Sequence, residues 1–318
     1  MSGRLEVLAP DGVPEVRPGD DLAGLLLAVL DLEDGDVVAV TSKVVAKAEG
    51  RLVRGSREDA AAGETVRVVA RRGGTRIVRT RIGVTLAAAG VDASNVEPGV
   101  VVLLPQDPDA SARALRDAVR ERAGANVGVL VTDTAGRAWR HGQTDLAVGA
   151  AGLVVAESFA GRVDGYGNPL HVTAPAVADE LASAAELAQG KLTGRPFARL
   201  RGRPDLVLPA GEPGPGAAAL VREPASDMFG YGAREAVVRA LAHDPADREG
   251  FGAAASGDDL AAALREVLGP DAVDVAGDGL LVRGDPRVVA ALAFAHGWEA
   301  TDGPEPGTTL LGGTHPQG

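Results

Sequence analysis

Asp34-Gly35-Asp36-Val37-Val38-Ala39-Val40-Thr41-Ser42-Lys43-Val44-Val45-Ala46-Lys47-Ala48-Glu49-Gly50 is the stretch on which the fold turns. Asp34-Gly35-Asp36 is a turn. The β-branched run Val37 to Thr41 reads as a buried strand. The strand ends on a hydroxyl and two ammoniums, Ser42, Lys43 and Lys47. If Val44 to Ala48 turns helically, Lys43 and Lys47 lie four apart on one face, where like charges repel by a few tenths of a kcal/mol. An anion between them removes that repulsion, so the junction is a candidate polyphosphate site. The bland alternative is an exposed amphipathic turn.

Outward from this stretch, strands and helices alternate. Asp20-Asp21 opens an apolar helix, Leu22 to Leu30, with acids where a helix N-terminus favours them. Val53 to Arg72 is polar and helix-compatible in its second half, and Thr75 to Leu86 is strand-like. Val100 to Leu104 is an apolar strand. Asp107-Pro108 opens a helix that runs to about Arg122. Val127 to Val131 is a strand ending at Thr132-Asp133-Thr134, and Val172 is strand-like. Pro175 to Gln189 is a helix with early acids and Gly190 after its end. The alternation predicts an α/β or α+β core. Arg203 to Gly216 is a Pro/Gly-rich linker and Arg234 to Leu241 a short helix. Ser256 caps a helix from Gly257 to Leu268, a hairpin turns at Gly277-Asp278-Gly279, and Pro286 to His296 is the last helix. The expected organisation is a main domain over 1–240, a small α-β-β-α unit over 245–300 and a disordered tail over 301–318.

Composition narrows the function. Of 318 residues, 32 are basic and 44 acidic, a net charge of −12. That balance argues against a nucleic-acid partner. There is no cysteine, which excludes thiolate metal sites and cysteine nucleophiles. No apolar run approaches the roughly 20 residues of a membrane span. The N-terminal MSGRLEVLAPDG lacks the apolar core of a signal peptide, so a cytoplasmic protein is expected. Of the 32 basic residues only three are lysines, Lys43, Lys47 and Lys191. In an arginine-rich chain each lysine is a candidate for work that needs a compact point charge.

Three further motifs carry chemistry. Asp92 and Asn95 lie in a turn, Gly90-Val91-Asp92-Ala93-Ser94-Asn95, where such residues ordinarily cap their own backbone. Asp133 follows an apolar strand, a common place for a metal ligand, with Arg137 and Arg140 close behind to neutralise phosphate. Two carboxylates about 4 Å apart repel by roughly 4 kcal/mol at an effective dielectric of 20, and a hard dication between them reverses that sign. Any metal site here is oxygen-rich, which favours Mg²⁺ or Mn²⁺ over Zn²⁺. Only the fold can bring residues 92 and 133 together. Gln189-Gly190-Lys191-Leu192-Thr193-Gly194-Arg195-Pro196 holds the third lysine between glycines but is not a Walker A loop.

In this order, the blocks Gly12 to Asp21, Asp34 to Arg51, Gly90 to Val96, Thr132-Asp133-Thr134 with Gly136-Arg137, and Val177 to Glu180 resemble the F420-0 γ-glutamyl ligase family over roughly residues 4–230. The resemblance implies a mixed-sheet α/β ligase fold and an intertwined homodimer. It implies GTP as co-substrate, Mg²⁺ or Mn²⁺, with K⁺ a further candidate, and F420-0 and L-glutamate as the molecules joined, through an acyl phosphate. It places Val13, Pro14, Glu15, Val16, Ser42, Lys47 and Asn95 on the nucleotide, with Gly190 and Lys191 in a phosphate-contacting loop. It places Asp92 and Asp133 on one metal and Thr134 on a second. Asp133, Lys47 and Arg137 are the expected catalytic groups. Actinobacterial relatives carry a flavin-binding domain after the ligase module. Here about 80 residues follow position 238, too few for that fold, so no FMN is expected. Two other readings fit the residues: an amide ligase for another acid, and a non-catalytic nucleotide-binding or interaction protein using residues 245–298.

Overall fold

A computed structural model describes residues 3–313, and two compact units divide the chain. The first comprises residues 1–67 and 78–221, the second residues 68–77 and 222–318.

In chain order the elements begin with β1 (Glu6–Leu8), α1 (Leu22–Leu27), β2 (Val37–Thr41), α2 (Ser42–Ala48), β3 (Leu52–Arg54) and α3 (Arg57–Gly63). Then come β4 (Thr65–Arg72), β5 (Thr75–Thr80), β6 (Thr85–Ala87), β7 (Val100–Val102) and α4 (Pro108–Ala123). β8 (Gly128–Gly136), β9 (Gln143–Ala151), α5 (Val177–Gln189) and β10 (Phe197–Arg201) follow. The remainder is α6 (Ala233–Ala242), α7 (Gly257–Leu268), β11 (Val273–Ala276), β12 (Gly279–Arg283), α8 (Pro286–Ala295), β13 (Trp298–Asp302) and β14 (Thr308–Gly313).

The first unit is built on a five-stranded sheet in the order β1-β10-β2-β8-β9. Only β2 and β8 are parallel, so the sheet is mixed. Both faces are covered, which is why β2 reads as an unbroken apolar run rather than alternating. Val38, Val40, Val129 and Val131 pack with Leu26 of α1 and Leu115 and Val119 of α4. Val37, Ala39, Leu130 and Ala198 face the other way, onto Val177, Leu181 and Ala185 of α5. Gly149 of β9 lets the start of α4 sit close, since a Cβ there would lie 2.4 Å from the Pro108 carbonyl oxygen. The pairing of Thr41, the last residue of β2, with Thr132 sets the end of β2 beside the middle of β8. Ser42 leaves the sheet there, while Asp133 continues in β8, paired with Leu146 of β9.

Two small sheets, β3-β7 and β4-β5-β6, carry the turn that holds Asp92. Asp92 exchanges backbone hydrogen bonds with Val102 of β7 at 3.0 and 2.8 Å. The next residue, Leu103, donates to the Arg51 carbonyl just beyond α2. Residue 92 is thereby tied to the lysine helix across a long loop of sequence.

The second unit is an antiparallel sheet, β11-β12-β14-β13, covered by α7 and α8. Leu260, Leu264, Val282, Val289, Trp298 and Leu311 form its core. Within this unit the tip of the β4–β5 hairpin meets α6: Gly232 donates to the Val69 carbonyl and Arg71 N–H to Glu235.

Several expectations are corrected. Residues 65–72 are a strand, not the second half of a helix; α3 ends at Gly63. Val172 lies outside any strand. The main unit ends near 221 rather than 240, and residues 68–77 belong with the C-terminal unit. The expected α-β-β-α unit has two further strands. Residues 301–313, expected to be disordered, contribute to β13 and form β14, with Leu311 fully buried. Residues 314–318 lie outside the described residues. No helix among the described residues is long and apolar enough to cross a membrane.

Candidate active site

The site grows from the end of β2 and the residues of β8 beside it. The last residue of β2, Thr41, is the N-cap of α2, so Ser42 sits in the helix's first turn. The Ser42 hydroxyl donates to Asp133 Oδ1 at 2.8 Å. One residue on, the Lys43 ammonium reaches Asp92 Oδ2 at 2.5 Å and the Ser94 hydroxyl at 2.8 Å. One turn further, Lys47 Nζ bonds Glu15 Oε1 at 2.5 Å and the Asn95 carbonyl at 2.7 Å. The helical spacing thus places both lysines along the loop 92–95. Asn95 presents that carbonyl from a left-handed backbone, φ 54°, a conformation asparagine tolerates better than most residues.

Opposite charges are brought together from distant positions. Burial raises the Asp92 pKa, but the Lys43 ammonium and the N–H and hydroxyl of Ser94 outweigh it and hold Asp92 below its ordinary value. Asp133 is different. Burial pushes it up to about 6; Ser42 and Lys43 act against that, and Asp145 and Asp92 add to it. Asp133 thus senses the charges of Asp92 and Lys43, while its own hydrogen bond goes to Ser42; Lys43 bonds Asp92, and Lys47 bonds Glu15 and Asn95.

The lysine charges are not left bare, as the sequence suggested. Each ammonium already has a carboxylate partner, Asp92 for Lys43 and Glu15 for Lys47. The two pairs differ in kind. Lys47 is buried, whereas the Glu15 side chain is 69% exposed, so Glu15 is free to swing away from an incoming anion.

On the α5 side of the sheet, Lys191 Nζ donates to Thr134 Oγ1 at 2.7 Å, and Thr134 donates to Asp145 Oδ1 at 2.7 Å. Burial, with the Asp145 charge, raises the pKa of Glu186 against the pull of Lys191. Gly190 caps α5 with positive φ, 66°. Sequence reading missed Asp145 and Glu186. Thr132 and Gln189 lay in the motifs quoted, but not foreseen was their burial with side-chain polar atoms that have no hydrogen-bond partner among the described residues.

Other expected site residues stand apart from the charge cluster. Arg137 is exposed, and its guanidinium bonds the His141 carbonyl within its own hairpin turn. Val16 is buried in the unit's interior and Val13 packs against the core, so neither offers a side chain to a charged ligand. Pro14 is exposed between them.

The donor set at residues 92 and 133 is all oxygen, which suits a hard cation such as Mg²⁺ or Mn²⁺. The raised pKa of Asp133 is the observation that favours a cation there, because a positive charge relieves the burial of the ionised carboxylate. Among the described residues no group of three acidic or imidazole side chains converges. Two carboxylates with phosphate oxygens completing the shell is the usual arrangement for Mg²⁺.

Charged groups of both signs gathered beside the end of β2 in a mixed, helix-covered sheet mark an α/β protein. A family model described as F420-0:Gamma-glutamyl ligase matches residues 12–67 and 59–202. A coenzyme F420:L-glutamate ligase of Methanopyrus kandleri is 40% identical over 254 residues, covering 71% of this chain and 99% of the relative. One from Haloarcula marismortui is 38% identical over 259 residues, covering 73% and 98%. One from Archaeoglobus fulgidus is 39% identical over 209 residues, covering 59% and 83%. The chain belongs to the F420-0:gamma-glutamyl ligase family, and the α2–β8 site lies inside the matched region.

Proposed function

We propose that the chain is a GTP-dependent ligase that joins L-glutamate to F420-0 in coenzyme F420 biosynthesis. One observation supports the reading: neighbouring residues of α2 reach into two distant stretches of sequence, Ser42 to Asp133 and Lys43 to Asp92, with Lys47 on the Asn95 carbonyl, all inside the matched family region. A carboxylate does not form an amide unaided at neutral pH. In the proposed reaction a carboxylate oxygen of F420-0 takes the γ-phosphoryl group of GTP, and GDP leaves. The glutamate amine then attacks the acyl carbon, inorganic phosphate leaves, and the amine gives up its proton. Repetition through γ-carboxylates lengthens the tail.

The protein's part is positioning and charge balance. Lys47, once released by Glu15, holds a phosphate. Ser42 fixes the Asp133 carboxylate, and Lys43 fixes Asp92. Asp92 and Asp133 would hold Mg²⁺ or Mn²⁺, which neutralises phosphate charge when bound. Thr134 is proposed for a second ion, K⁺ remains a further candidate, and Gly190 and Lys191 are proposed to meet the phosphates. Arg137 is retained in the proposal as a group that reaches phosphate by rotating out of its hairpin turn. The active species is proposed to be a homodimer that carries no FMN. Incubation with GTP, Mn²⁺, L-glutamate and F420-0, followed by mass spectrometry, should show glutamyl addition with GDP release. F420-0 recovered unchanged, with GTP bound, would make the chain a binding protein instead.

A further inference from the structure

We propose that the cavity walled by Arg51, Arg81, Ile82, Leu104 and Gln106 seats the acidic, ring-bearing acceptor, with an anionic group on Arg81 and the ring against Ile82 and Leu104. This rests on the ligase reading above. The cavity has a volume of about 450 Å³, within the range of small-molecule sites. A smaller neighbour of about 220 Å³ shares Arg81, Ile82 and Gln106 with it, so the two form one groove.

Its charge is the first argument. Arg51 is spoken for: it pairs with Glu64 at 3.2 Å and donates from Nε to the Leu104 carbonyl at 3.1 Å. Arg81 has no carboxylate partner among the described residues. Its Nε donates to the Gly63 carbonyl at 2.9 Å, which anchors one edge of the guanidinium. An anchored, unneutralised guanidinium is the group best suited to a carboxylate or phosphodiester. The larger cavity carries Arg51 and Arg81 against Glu64 alone, while Asp107 and Asp109 line its neighbour, so an anion is favoured at the Arg81 end of the larger cavity.

Its place is the second argument. Arg51 lies four residues after Lys47, just beyond the end of α2, and its carbonyl receives Leu103 N–H beside the Asp92 bridge. Ala89, also in the wall, lies three residues before Asp92. Ala88, Ala89 and Gly90 all adopt left-handed backbone, φ 49°, 56° and 71°, and a Cβ on Gly90 would lie 2.7 Å from Leu104 Cδ1. The turn that delivers Asp92 is therefore also packed onto the cavity's apolar wall. Apolar wall and fixed cation together match a molecule with an aromatic body and an anionic end.

The test is equilibrium binding of F420-0, followed by its own fluorescence, alongside KM values for F420-0 and GTP. The proteins are the wild type, Arg81→Gln and Ile82→Trp. Losing one charge-assisted contact should weaken F420-0 binding about tenfold in Arg81→Gln, and Ile82→Trp should abolish it, with KM for GTP within twofold of wild type. The GTP value and a thermal melt report that the variants are folded. A wild type that ligates glutamate, with both variants binding F420-0 as tightly as it does, overturns the cavity assignment and leaves the ligase reading intact. A wild type that never extends F420-0 overturns the ligase reading itself.

Discussion

Asp133 is the residue on which the site's chemistry turns. Its carboxyl is raised from 3.8 to about 6 by burial, with Asp145 and Asp92 contributing. An acid raised in this way binds more protons folded than unfolded, so its contribution to stability is present below about pH 4 and lost as pH rises through about 6. In metal-free protein the loss is at most about 3 kcal/mol. Asp133→Asn mimics the protonated form. Urea melts in chelator at pH 4.5 and 7.5 should show the wild type losing stability with rising pH more steeply than the variant, which should be the more stable at pH 7.5. The same variant should lose most ligase activity. Glu15 offers a second residue-scale test. With its Glu15 member exposed and Lys47 buried, the pair is taken as worth about 1 kcal/mol, so Glu15→Gln, which frees Lys47, should tighten GTP binding by up to about fivefold in a calorimetric titration. Weaker binding would show that Glu15 helps to hold the nucleotide rather than to compete with it.

At the scale of elements, legibility followed locality. β2, α4 and α5 were readable because their signals are local: an unbroken β-branched run, Asp107 capping α4 with Pro108 behind it, and Gly190 ending α5. The scarcity of lysine pointed to α2 before any contact was known. The β4 strand was not readable, since Thr65–Arg72 mixes arginines with small residues and its partner pairing is not local. Burial of Thr132, Asp145 and Gln189 is likewise a tertiary outcome without a periodic mark. Arg116 is a further case. It is buried in α4, and its guanidinium donates to the carbonyls of Val127, Leu208, Pro209 and Glu212 and to the Asn126 side chain. Arg116→Met removes these bonds, leaving the Leu208 carbonyl only Asn126 and the Pro209 carbonyl only Glu212 N–H, and should cost about 3–5 kcal/mol in urea unfolding. A loss below about 1 kcal/mol would show that the loop over 208–212 is held by other contacts.

At the scale of the whole molecule, two units carry separate cores, and the family match ends at residue 202 inside the first. The C-terminal strands were misread as disorder because Gly, Thr and Pro dominate residues 301–313. The prolines sit in the turn before β14, whose Thr308, Thr309 and Leu310 suit a strand and whose inward Leu311 supplies the core contact. Trp298 is buried in that core, whereas Trp139 is 82% exposed, so the tryptophan fluorescence change on unfolding reports mainly the second unit. Leu311→Ala should lower the stability of that transition by about 2–4 kcal/mol. An unshifted transition would mean that the strand is not part of the folded unit.

The central claim is that carboxylates 41 positions apart in sequence, Asp92 and Asp133, jointly hold one divalent cation beside a nucleotide gripped by Lys47. Titration of Mn²⁺ into the GTP-bound protein, followed by electron paramagnetic resonance, tests it directly. The account predicts tight Mn²⁺ binding in the wild type and a loss of about 100-fold or more in Asp133→Asn, about 3 kcal/mol, with GTP still bound. Equal Mn²⁺ affinity in the two proteins would contradict it.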